Sequence, residues 1–525
     1  MAPDSGARAP AQAASGQGVS ARLPILGASR RLLSIYEDAP YRNAGAILVF
    51  VCGLVLLARL SPLAMLPFLV LVWANADRLA LRVDSLLGAA PWLLVAIPAA
   101  AILARLVLQP PAASDDLLRH IASAFWPRGY QDMYVHTALP PHPLYPGFDG
   151  LLGYLAQRIG LPATMWLAQA AAFACYSFAV IGAGLRVLSG REDRWFWVAA
   201  GWLLLCSLLA LRLSLARPEV FMAAWAISAV IPRSRGGIAL WVVIGVALGS
   251  AYWLAPIYYT AALLLQTSLR ARLAIAAALG TAWALLWLWL TGGELVATFV
   301  WPLEAVGRRI PELSVGENVS IFAMVSAPEF VLLAAGAAWA IGKGAAEPRF
   351  VLLAGFFLLS NQIRYANVVA AMFMLCALGL IAAAKGEELL RSRTQSGAKL
   401  RSVVAAVLLL CALSIPPQVP KWADQVRFQL PPGSVVLAGN MPPMYSMLFH
   451  NPGRIRISPG FELGAARPEV QRAILDLGSG RLDCVAVLAL GFTHLVENSF
   501  AGVPASCMRL EATQNTWRLW RLAAP

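Results

Sequence analysis

The chain has 525 residues, of which 59% are hydrophobic and only 13% charged, with a formal charge of +14. That balance leaves too few polar side chains to cover a water-facing surface, and it predicts a bilayer as the solvent for most of the chain. The basic residues sit in short loops between apolar runs and form no basic face interleaved with aromatics, so they read as topology signals and no nucleic-acid partner is expected.

Residues 1–43 are rich in Ala, Gly and Ser and carry Arg8, Arg22, Arg30, Arg31 and Arg42. They are longer and more polar than the leading region of a signal peptide, which predicts a disordered cytoplasmic tail with a short interfacial helix near Leu32 to Tyr36. Apolar runs follow near 44–60, 62–76, 88–108, 162–187, 195–211, 219–232, 237–254, 256–268, 273–291, 319–342, 350–362, 365–384 and 402–416. A spanning helix needs about 20 mostly apolar residues, so the expectation for 44–416 is an all-α polytopic membrane domain of about 13 transmembrane helices.

With the N-terminus inside, alternate connections receive Arg78 and Arg82, then Arg186, Arg191 and Arg194, then Arg233 and Arg235, then Arg270 and Arg272. Lys343 and Arg349 follow, and after them Lys385, Arg391, Arg393, Lys399 and Arg401. In these segments bases outnumber acids about two to one, which predicts a cytoplasmic N-terminus and a periplasmic C-terminus in a bacterial inner membrane.

The segments left on the outer side are a loop at 109–161, a loop at 292–318 and a domain at 417–525. All the histidines, His120, His136, His142, His450 and His494, fall in them. The second loop places Glu294, Trp301, Glu304, Arg308, Arg309, Glu312 and Glu317 at roughly helical spacing, as an interfacial helix or a gate over a donor site. In the terminal domain, Ser434 to Leu437 and Cys484 to Leu488 read as strands and Trp517 to Leu522 as a closing strand, giving a small extracytoplasmic α/β lid. Cys52, Cys175, Cys206, Cys376 and Cys411 lie in apolar runs as packing residues, whereas Cys484 and Cys507 can pair in an oxidising compartment.

Chemistry concentrates at Ser114-Asp115-Asp116-Leu117-Leu118-Arg119-His120, just outside an apolar run. Adjacent carboxylates raise each other's proton affinity, so Asp115 or Asp116 can serve as a general base on an acceptor hydroxyl or amine. Helix initiation explains the same letters: Ser114 is a good N-cap and Asp115 stands four residues before Arg119. Asp132, Tyr134, His136, His142 and Asp149 surround the proline-rich stretch Pro140 to Pro146, which predicts an ordered non-helical loop. Their spacing matches no metal-ligand motif, and no metal or other cofactor is expected. Arg212, Arg217 and Arg364 sit at outer helix ends against the inside bias, where they can hold a departing anion or snorkel to headgroups. Glu219 follows Pro218 at a helix start, a capping position.

An Asp-Asp pair opening a large outer loop at a helix end, followed by a terminal outer domain, resembles the GT-C glycosyltransferases. These include bacterial relatives of the protein O-mannosyltransferases and the lipid A aminoarabinose transferases. The letters match at Asp115 and Asp116, with weaker echoes at Arg217-Pro218-Glu219 and Arg364-Tyr365. Two apolar runs precede the one that carries the pair, whereas the family pattern usually places the pair after its first helix. The resemblance implies inverting transfer of a sugar from a polyprenyl-phosphate carrier to a periplasmic lipid, glycan or protein acceptor. A loop carboxylate would be the base, with Arg217, Arg364 and Arg212 at the donor phosphate. Arg119, His120, Asp132, Tyr134, His136, His142, Asp149, Glu219 and Tyr365 are the further loop and acceptor candidates. The alternatives are an O-antigen ligase or polymerase, which would rely on outer arginines and a later histidine, and a transporter or flippase of lipid-linked sugars.

Overall fold

A computed structural model describes residues 91–108, most of 116–296, 366–383 and most of 426–524. The tail at 1–43, the helix near 32–36, the runs at 44–60, 62–76, 319–342, 350–362 and 402–416, and the loop beyond residue 296 lie outside the described residues.

The helical part comprises α1 (Leu93–Leu108), α2 (Asp116–Ser123), α3 (Tyr130–Met133), α4 (Pro146–Ile159), α5 (Leu161–Val187) and α6 (Arg194–Leu208). It continues through α7 (Pro218–Ile227), α8 (Arg235–Gly249), α9 (Ala255–Leu265), α10 (Leu269–Leu290) and α11 (Ala366–Ala383). Prolines inside the first turn start α4, α5 and α7, where the missing N–H costs nothing. α5 is the central column, packed by α1, α2, α4, α6, α7 and α11. Small residues set its closest contacts: a Cβ on Gly184 would stand 3.0 Å from Val198, and one on Gly182 would stand 3.0 Å from Ile231 just beyond α7. The ends of α5 and α7 therefore lie together, and the two helices run in the same direction.

The expected all-α domain of about 13 spans is corrected by the lengths of these helices. Among the described residues, two helices are long and apolar enough to cross a membrane, Leu161–Val187 and Arg272–Leu290. The runs near 195–211, 219–232, 237–254 and 256–268 fold instead into helices of 15, 10, 15 and 11 residues. At about 1.5 Å per residue these fall short of a hydrocarbon core roughly 30 Å thick. Proline starts and intervening turns, which an apolar count does not register, shorten them. The outward faces stay apolar nonetheless: Phe178 is 76% exposed and Trp289 77%.

The terminal region is a mixed α/β unit. Its strands are β1 (Val435–Ala438), β2 (Arg456–Ile457), β3 (His494–Glu497), β4 (Met508–Gln514) and β5 (Trp517–Leu522). They form one five-stranded sheet in the order β2-β1-β3-β5-β4, with β2, β1 and β3 parallel and β5 antiparallel to both its neighbours. The helices α12 (Met441–His450), α13 (Pro468–Gly478) and α14 (Cys484–Ala489) make the crossovers. Cys484 to Leu488 is thus helical and not a strand, because the Asp483 carboxylate accepts from the N–H groups of Val485 and Ala486 and caps the run into a helix. The last strand, β5, is internal to the sheet and does not close its edge. Cys484 and Cys507 form a disulfide that ties α14 to the start of β4.

Candidate active site

α2 is buried along its whole length and carries charge at its start. Asp116 sits in its first turn, where the helix dipole favours an anion. Arg119 and Asp116 lie one turn apart, and the Nε of Arg119 donates to Asp116 Oδ1 at 2.6 Å. One residue on, His120 places Nε2 3.2 Å from Asp116 Oδ2. Its Nδ1 lies 2.6 Å from Oδ1 of Asp149, the carboxylate in the first turn of α4. Arg217, the residue before Pro218 at the start of α7, reaches in from the far side and sets Nη1 3.1 Å from Asp116 Oδ2. Two helix starts and one short helix thus converge on one ionic network.

The backbone helps to aim Arg217. Ala216 is fully buried with φ at 47°, in the left-handed region that a residue with a Cβ adopts at a cost of about 1–2 kcal/mol. That turn points the following arginine at α2 before α7 begins.

Aromatic side chains wall the cluster. Arg119 donates to the Tyr130 hydroxyl from α3 and lies 5.4 Å from that ring and 5.7 Å from the ring of Tyr145. The His120 ring meets Tyr145 and Phe148 edge-on at 4.8 and 5.2 Å. Tyr145 stacks on Tyr252 just past the end of α8. The buried oxygen Asp149 Oδ2 has no hydrogen-bond partner among the described residues.

Burial alone would raise the proton affinity of Asp116, but Arg119, then Arg217 and His120, overturn that and hold its carboxyl well below the usual range. Burial and Arg119 work against a charge on His120, yet Asp116 and Asp149 outweigh them and raise its proton affinity. Tyr130 and Tyr134 are pushed up by burial above all, so both stay neutral and can donate. The result is a dry ionic network in which Arg217, its side chain 16% exposed against 5% for Asp116, is the member open to solvent.

Among the other candidates, Tyr134 lies within electrostatic reach of Asp116, Arg119 and Asp149. Asp132 and His136 carry contacts to the terminal unit. The Asp132 carbonyl accepts from Arg456 at 3.2 Å, and His136 Nε2 lies 2.7 Å from the Leu490 carbonyl, so this stretch fastens the terminal unit to the helices. Glu219 is buried in the first turn of α7, with its carbonyl accepting from Asn367 on α11. Asp115, His142, Arg212, Arg364 and Tyr365 lie outside the described residues. Tyr130, Tyr145, Phe148 and Tyr445 were not among the candidates. The first three stand in the same loop as Asp116 and Asp149, and aromatics close to a charged pair are the signal that would have found them. No family model matches the chain, and no curated protein matches it as a relative.

Proposed function

We propose that this protein is a membrane-bound glycosyltransferase that moves a sugar from a polyprenyl-phosphate carrier to an acceptor on the periplasmic side. The observation that carries the reading is the Asp116–Arg217 ion pair, which joins the start of α2 to the start of α7 inside a buried, aromatic-walled cluster. Such a pairing supplies a carboxylate base and a cation for a leaving anion within one hydrogen bond of each other.

In the proposed reaction the acceptor oxygen attacks the anomeric carbon, and the bond from that carbon to the phosphate oxygen breaks. The electron pair leaves with the polyprenyl phosphate, whose charge Arg217 offsets, and the acceptor proton passes to Asp116. A phosphate drawing Arg217 away from Asp116 removes one of the cations that hold the carboxyl low, so its basicity rises when the donor is in place. Arg119 and His120 keep the carboxylate oriented, and Asp149 holds His120.

The ends of the helices support the sidedness. Arg186 lies in the last turn of α5, Arg233 and Arg235 follow α7, and Arg272 opens α10. Arg217 starts α7 at its other end, and the Ser250 carbonyl, past the end of α8, accepts from Gly147 beside Asp149. The basic turns and the ionic cluster thus occupy opposite ends, the arrangement expected of a site outside a positive-inside membrane protein.

The test is donor consumption by the purified full chain, followed as release of polyprenyl phosphate from a labelled polyprenyl-phosphate sugar in the presence of acceptor lipids. Asp116→Asn should lower turnover at least about a hundredfold, the usual scale of a lost general base. An Asp116→Asn variant that turns over donor like the wild type would remove the proposal.

A further inference from the structure

The terminal α/β unit is built into the ionic cluster. Its α12 packs along α2, the helix that carries Asp116, Arg119 and His120. The backbone amide of Val135 donates to the Ile457 carbonyl at 3.0 Å, and a bridge pairs Tyr134 in parallel with Ile457, so residues after α3 prolong the sheet beyond β2. The Trp126 indole donates to the Ile455 carbonyl at 3.1 Å. At Gly453, where φ is 71°, an added Cβ would stand 2.8 Å from the carbonyl oxygen of Phe125, so the two backbones approach as closely as glycine allows. This seam delivers Tyr445, in the middle of α12 and 2% exposed, into electrostatic reach of Asp116, Arg119, Tyr134 and Arg217. Burial above all, and then Asp116, raise the proton affinity of this phenol, so it stays a neutral donor at physiological pH.

We propose that Tyr445 is a ligand-binding residue of this site, its hydroxyl donating to the same phosphate that Arg217 takes up, so that the site is complete only with the terminal domain docked. The inference rests on the proposed phosphate-bearing donor. A buried phenol within electrostatic reach of the Arg217 guanidinium suits a phosphate, whose oxygens accept from both while neither group need change protonation and Arg119 stays on Asp116. The terminal domain is then a wall of the site and not a detached lid.

The test is binding of undecaprenyl phosphate to the full chain in lipid nanodiscs, which needs no turnover. Tyr445→Phe keeps the ring and should weaken binding about tenfold, the scale of one hydrogen bond to a charged group, with the thermal unfolding midpoint unchanged. Gly453→Val, remote from any ligand, should weaken binding at least as much by lifting α12 from α2, and adding Tyr445→Phe to it should cost nothing more. Wild-type affinity in Tyr445→Phe and Tyr445→Ala, with binding lost in Arg217→Gln, would overturn the inference and leave the proposed function standing. Wild-type affinity in Arg217→Gln as well would overturn both.

Discussion

Asp116 and His120 sit in one network but shift in opposite directions. The arginines depress Asp116, so it adds stability above the ordinary carboxylate range near about pH 4, and that stability is lost as pH falls through its lowered value. His120 is raised, so its contribution is complete below about pH 6.5 and is lost as pH rises through its raised value. Asp149→Asn removes the anion at Nδ1 and lowers that raised value. The alkaline decline in the variant's unfolding midpoint should therefore begin at the same pH as the wild type's, about 6.5, but be smaller and end at lower pH. Coincident alkaline limbs for the two proteins would show that Asp149 does not sustain the imidazolium.

Among the elements, α4 ties packing to chemistry. Its Gly153 faces the end of α2, and a Cβ there would stand 1.8 Å from that of Ala124, just past the helix, whereas Gly150 on the same helix has nothing within 4 Å. Gly153→Ala should force α4 off α2, costing about 1–3 kcal/mol and parting Asp149 from His120. Gly150→Ala should instead stabilise the helix by about 0.5–1 kcal/mol. Denaturant unfolding of the two variants checks this, and equal stability changes would contradict the close approach. The same contrast explains what could be read in advance. The run at 162–187 announces α5 because a long apolar stretch behind Gly160 and Pro162 leaves a helix as its only economical form. The runs around Arg217 do not announce their lengths, since Pro218 and the turn at Ala216 cut them by local geometry that composition does not carry. Cys484 to Leu488 is strand-like in letters, and a single capping aspartate decides for helix.

For the whole molecule, the site is an affair of long-range contacts. Asp116 and its neighbours stood out in the sequence because acid, base and histidine crowd together, and Arg217 stood out because an arginine at an outer helix end runs against the charge bias. Tyr445 offers no such signal: it lies in a short Met- and Pro-containing helix, and the long-range packing of that helix on α2, with the close approach of Gly453 to Phe125, brings it to the cluster. This assembly lies at the end of the helices opposite the basic turns, and the proposed function puts that end in the periplasm. The most direct measurement uses sealed membrane vesicles of known orientation, given labelled polyprenyl-phosphate sugar in the outer leaflet and a membrane-impermeant acceptor outside. Transfer should occur in right-side-out vesicles and vanish with Asp116→Asn, while inverted vesicles stay inactive. Transfer confined to inverted vesicles, or transfer that survives Asp116→Asn, would contradict the account.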